Sequence, residues 1–104
     1  MIKENFVFSR INNGIERKYY YKLIKSIRGN EDVFGIEVER VDIKGDIIID
    51  SFKDSIELIS PVEEKVKKLL KMLYDNQVSP IHLIDIIGPF ADEYVNDFKE
   101  INFN

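Results

Sequence analysis

The chain of 104 residues has no cysteine, no tryptophan and a single histidine. Without cysteine there is no disulfide framework, no thiol nucleophile and no thiolate metal site. One histidine without cysteine also removes the ordinary zinc arrangements. Long apolar runs are missing as well. The longest aliphatic run is Ile47-Ile48-Ile49, far short of the ~20 residues a membrane helix needs. The first residues, MIKENFVFSR, lack the basic end and apolar stretch of a signal peptide. No GxxxxGK[ST] or GxGxxG loop offers a phosphate site, and no nucleophile elbow stands out. Glu37 and Glu39 could offer two oxygens to a hard cation, but no third ligand is in register. These absences predict a cytoplasmic protein without cofactor, metal or membrane contact, in which no catalytic residue can be named. The nineteen acids allow many carboxylate pairs, and nothing selects one.

Charge is unevenly spread. Residues 1–30 hold seven Lys/Arg and two Asp/Glu, a net of +5, and residues 31–104 hold eight and seventeen, a net of −9. Such asymmetry can steer an anionic partner to one face. The preferred reading is that the two parts attract each other within the fold.

Residues 1–104 read as one domain, with a β half over 1–59, a helical half over 60–100 and a frayed tail over 101–104. NFVFSRIN alternates with period two, and Asn13-Gly14 is a strong two-residue hairpin signal because both positions need φ > 0. That turn sets Phe8 against Tyr19 and Phe6 against Tyr21, and also Arg10 against Arg17. A three-residue loop would avoid the arginine pair but separate the aromatics. The second strand, IERKYYYKLIKSI, places Tyr19, Tyr21, Leu23 and Ile27 on one face and Lys18, Tyr20, Lys22 and Ile24 on the other. Lys25 falls on the buried parity and is expected near an edge, with its stem buried and its amine in water. After the turn RGNED, the strand VFGIEVERVDI points Phe34, Ile36 and Val38 inward. Pairing Ile27 with Phe34 then puts Lys22 opposite Glu39. The turn KGD leads to a fourth strand, IIIDSFK, with Arg40 facing Asp50.

The period changes at LISPVEEKV. Ser60 reads as an N-cap, Pro61 as the first helical residue and Glu63 as the close of a capping box. Val62, Val66, Leu69, Leu70 and Leu73 form an amphipathic stripe that ends at YDNQ. Ser79-Pro80 repeats the start signal, and Gly88-Pro89 is expected to stop or kink the second helix. Phe90, Tyr94 and Phe98, at spacing four, mark a third helical piece. The fold class is α+β: an antiparallel meander of about four strands, with two or three C-terminal helices packed on one face.

Two surfaces invite a functional reading. His82 and Asp85 interrupt an otherwise apolar second helix at spacing i, i+3, which would suit a proton-transfer dyad. The preferred reading is a polar stripe, because nothing beside them resembles a nucleophile. The apolar character of the helix, flanked by acids, points instead to a protein-partner surface formed by Ile84, Ile87, His82, Asp85 and Tyr94. The alternative is single-stranded nucleic-acid binding through Arg17, Lys18, Tyr20 and Lys22, where basic residues alternate with tyrosines on one strand. A pI near 5.0 and the acids of the neighbouring strand argue against it. The sequence therefore points to a non-catalytic interaction or regulatory module, a monomer or homodimer, whose partner is another protein.

The stretches YYYKLIKS, FGIEVER, DSIELISP and LLKMLYDNQVSPIHLIDIIGPFADEYV resemble a family of small bacterial proteins classed as a domain of unknown function. The resemblance runs from Arg17 to Phe98, is most specific at YDNQVSPIHLID and departs at the short RGNED turn. It implies a free-standing bacterial cytoplasmic protein and carries over no catalytic residue.

Overall fold

The computed structural model describes residues 1–98. The expected tail, and the last two residues of the expected helical half, lie outside the described residues. Four strands form one antiparallel sheet in the order β1-β2-β3-β4. They are β1 (Ile2–Asn12), β2 (Ile15–Arg28), β3 (Glu31–Lys44) and β4 (Ile47–Ser60). Two helices follow, α1 (Glu63–Asp75) and α2 (Leu83–Glu93).

The first hairpin has the expected register. Asn13 and Gly14 take φ of 53° and 76°, Phe6 stands opposite Tyr21 and Phe8 opposite Tyr19. The Phe8 and Tyr19 rings stack at 4.6 Å. Arg10 and Arg17 are paired as well, and each finds its own partner. Arg10 donates to Gln77 at 2.8 Å and lies over the Phe8 ring, while Arg17 approaches Asp42 at 3.7 Å.

The next two hairpins are tighter than the sequence suggests. Arg28 pairs with Glu31 across a two-residue turn, and Gly29 supplies the positive φ of 62°. Ile27 therefore faces Asp32 and Lys22 faces Glu37, two residues away from the expected register. Lys22 still reaches Glu39, diagonally, at 3.1 Å, as well as Glu37 at 3.3 Å. Lys44 pairs with Ile47 in the same manner, and Arg40 stands opposite Phe52 rather than Asp50. β4 also runs beyond the expected IIIDSFK, to Ser60. Its register against β3 shifts at Gly35. A Cβ at that position would overlap the carbonyl oxygens of Ile56 and Glu57, so the close backbone approach requires glycine. Lys25 lies on an inner strand, not an edge one, and its ammonium meets Asp32 at 3.5 Å.

The helix starts differ from expectation too. Ser60 remains in β4, paired with Phe34, so α1 begins at Glu63 with Val62 at the N-cap position. The Ser60 hydroxyl accepts the Val62 N–H at 3.0 Å and donates to Asp97 at 3.1 Å. Ser79-Pro80 opens a 3-10 turn over Pro80–His82, and α2 follows at once. α2 passes through Gly88-Pro89 without stopping. The clash between a proline ring and the Cβ of the preceding residue is absent when that residue is glycine, so the helical conformation before Pro89 is accessible. The expected third piece is thus the second half of α2 and a 3-10 turn, Tyr94–Asp97.

Both helices cover one face of the sheet. Tyr21, Leu23, Ile36, Val38 and Ile59 meet Val66, Leu70, Leu73, Leu83 and Ile87 in a continuous buried cluster. The loop between the helices is fastened to the sheet. Gln77 takes φ of 51°, the Val78 N–H donates to Leu73 at 3.0 Å, and the Tyr21 hydroxyl donates to the Val78 carbonyl at 2.8 Å. Burial, with the nearby Tyr19, pushes the Tyr21 phenol well above its ordinary pKa, despite the opposing charge of Arg10. No helix among the described residues is long and apolar enough to cross a membrane.

Candidate partner surface

α2 is amphipathic in a simple sense. Leu83 and Ile87, four residues apart, turn into the core, and Ile84 and Asp85 turn outward. Ile87 has 0% of its surface exposed and Ile84 has 54%. Ile87 is therefore a core residue, and of the expected surface it is Ile84, His82 and Asp85 that lie open. Ile81 is exposed next to them. His82 closes the 3-10 turn, its N–H donating to Ser79 at 3.0 Å. Among the described residues no hydrogen bond or ion pair joins it to Asp85.

Tyr94 is half-buried and engaged. The Lys65 ammonium sits 4.7 Å from its ring centre, and Phe90 packs at 6.3 Å. The same ammonium meets Asp97 at 2.7 Å. Asp97 is held below the ordinary aspartate pKa, first by the hydrogen bond from Lys65 and then by that from Ser60, against an opposing effect of burial. Ser60, Lys65 and Asp97 thus tie the end of β4 and the start of α1 to the C-terminal turn. Sequence reasoning assigned Ser60 elsewhere and missed this clasp, because the three residues are brought together by tertiary packing alone.

The residues proposed for nucleic acid do not share a surface. Tyr19 and Tyr21 face the helices, and Arg17 lies on that same face by parity. Lys18, Tyr20 and Lys22 occupy the opposite face. Lys22 stands over the Tyr20 ring at 5.6 Å and is gripped by Glu37 and Glu39. Burial pulls the Lys22 pKa down, but the hydrogen bonds and charges of Glu39 and Glu37 outweigh it and leave the pKa raised. The basic front meets acids from the rest of the chain in several places: Lys3 with Glu63, Arg17 with Asp42, Lys22 with Glu37 and Glu39, and Lys25 with Asp32. Much of the charge asymmetry is absorbed in this way.

A second surface carries no signal in the sequence pattern. β2, with 14 residues, spans ~46 Å at roughly 3.3 Å per residue. α1, with 13 residues, spans ~20 Å. The molecule is accordingly 56 Å long, and the end of the sheet bearing the turns at Gly14 and Gly45 projects past the helices. On the helix side of this bare end, Arg17, Arg40, Asp42 and Asp50 form a rail of charges. Asp42 is buried between Arg40 at 3.2 Å and Arg17 at 3.7 Å, and Arg40 also approaches Asp50 at 3.7 Å. The tip is apolar: Ile11, Ile47 and Ile48 are 74%, 68% and 64% exposed, and Phe52 is exposed on the same end. Residues 4–93 match the model of a family described as a family of unknown function (DUF6514). The chain belongs to that family. No curated protein and no solved structure matches it. The match to the DUF6514 family takes in the helix-covered core, the bare sheet end and all of α2.

Proposed function

We propose that this chain is a non-catalytic, cytoplasmic interaction module that docks another protein on the bare end of its sheet. The observation behind this reading is the mismatch between sheet and helices. Roughly a third of the length of the strands has no helix over it, yet its tip carries Ile11, Ile47, Ile48 and Phe52 in the open. Ile47 and Phe52 lie on the helix side of the sheet and Ile11 and Ile48 on its reverse, and exposed apolar side chains such as the first two mark a contact surface on a small domain. Beside Phe52, Arg17, Arg40 and Asp50 gather around the buried Asp42 and supply polar groups of both signs, the usual border of a protein interface. The exposed pair of Ile81, in the 3-10 turn before α2, and Ile84, in α2, is a smaller patch and ranks second. The nucleic-acid reading has less support, because Lys22 is neutralised and Arg17 lies on the other face. The absence of cysteine and of a long apolar run fits a bacterial cytoplasmic setting.

The test is site-resolved photo-crosslinking. A photoreactive side chain replaces Phe52, Ile84 or Tyr20 in separate variants expressed in the source cells. A discrete crosslinked protein is expected at Phe52 and not at the other two. Crosslinking confined to Ile84 would move the interface to α2. Crosslinking to nucleic acid at Tyr20 would overturn the reading.

A further inference from the structure

Among the described residues no strand pairs with the outer edge of β4, and this edge shows an arrangement that the docking proposal does not use. In an antiparallel ladder, alternate residues of an edge strand point their N–H groups away from the sheet. The unbroken register of Asp50–Ile56 against Ile36–Asp42 gives that outward role to Ser51, Lys53 and Ser55, because the amides of Ser51 and Ser55 do not donate to β3. The Ser51 N–H donates to the Asp50 carboxylate at 2.9 Å, and the Ser55 N–H donates to the Asp54 carboxylate at 2.9 Å. Two of the three outward amides on this stretch are therefore already occupied by the preceding aspartate. The Lys53 amide lies between them.

We propose that Asp50 and Asp54 close the β4 edge against pairing with a second copy of this chain. An exposed strand of 14 residues with an apolar start is the kind of edge that pairs with itself, and charged side chains along the edge are a known protection. The sequence of β4 explains why both aspartates are needed. Two copies related by a two-fold axis through Phe52 would set Phe52 against Phe52, a favourable pair, and Ser51 against Lys53. The same register sets Asp50 of each copy against Asp54 of the other, two like-charge contacts. Shifting the axis to Lys53 replaces these with a Lys53–Lys53 contact. The aspartates thus act twice: they occupy the amides that a new strand would use, and they repel in the register that would otherwise fit.

The experiment compares wild type, Asp50→Ala/Asp54→Ala, and the same double variant carrying Lys53→Pro, by light scattering after size exclusion and by amide exchange. Proline at Lys53 removes an outward N–H and is tolerated at an edge, so it blocks strand addition without disturbing the β3–β4 ladder. The expected result is a monomer for wild type, a concentration-dependent dimer for the double variant and a monomer again for the triple variant. In wild type, the Ser51 and Ser55 amides should exchange more slowly than that of Lys53. A double variant that stays monomeric with an unchanged circular dichroism spectrum would overturn the proposal. So would a triple variant that still dimerises, or Ser51 and Ser55 amides that exchange as fast as Lys53.

Discussion

Ile84 and Ile87 are three residues apart on α2 and are chemically identical, yet truncating them should have very different effects. Ile87 lies wholly inside the cluster that contains Leu70, Leu83 and Ile59. Ile87→Ala removes its side chain beyond Cβ from a packed interior and leaves a cavity, which costs about 2–5 kcal/mol. A domain of this size has a total stability of roughly 5–15 kcal/mol, so the variant loses a large part of it. With ~4–8 °C of melting temperature per kcal/mol, a loss of about 3 kcal/mol lowers the midpoint by about 12–24 °C. Ile84 is more than half exposed, so Ile84→Ala should stay within ~0.5 kcal/mol of wild type. Urea denaturation followed by circular dichroism measures both, with the slope of the transition unchanged. Equal losses for the two variants would refute the orientation of α2 described above, and with it the division of the helix into core and surface.

Tyr21→Phe keeps the buried ring but leaves the Val78 carbonyl without its donor. The expected cost is about 1 kcal/mol, accompanied by faster amide exchange in the loop between the helices; an unchanged stability would mean that the loop is not fastened there. Gly35→Ala brings a methyl group against the Ile56 and Glu57 carbonyls and should cost ~1–3 kcal/mol, as overpacking does, with the chemical-shift changes confined to the β3–β4 ladder. Asp97 has a lowered pKa, so its contribution is fully present above the unfolded aspartate value and disappears as pH falls through the folded one. The stability difference between wild type and Asp97→Asn should accordingly be constant from neutral pH down to about pH 4 and shrink below it. A difference that grew on acidification would contradict the Lys65–Asp97 pair.

Local patterning was most legible where one residue type has one plausible task. Asn13-Gly14 specified the first hairpin and its aromatic pairs, and the stripe Val66, Leu69, Leu70 and Leu73 specified the buried side of α1. Registers set by the other two turns were harder to read, since Gly29-Asn30 and Gly45-Asp46 close two-residue loops inside longer polar stretches. The pair Gly88-Pro89 was misleading because the glycine has no Cβ to meet the proline ring, so the helical conformation before proline stays accessible. The surface was least legible. Parity already placed Arg40 and Asp42 on the face of Ile36 and Val38. What the sequence does not state is that α1 and α2 are too short to reach them. The burial of Ile87 is hard to read for a related reason: an almost wholly apolar helix does not declare which side meets the sheet.

The bare end of the sheet also bears on how the molecule opens. Over the rows near Tyr21 and Val38, each strand is held by its neighbours and by the helices as well. Beyond them, the turns at Gly14 and Gly45 are held by ladder hydrogen bonds, by the Arg17–Asp42 ion pair across β2 and β3 and by the Arg40–Asp42 pair within β3. Segments with few buried apolar contacts separate at a free energy well below that of global unfolding. Because the two hairpin tips are bonded to each other from Ile15–Lys44 inward, they fray together rather than singly. Thermal motion therefore loosens the projecting third of the sheet while the clasped, helix-covered part keeps its shape, and the two parts of one continuous sheet melt at different temperatures.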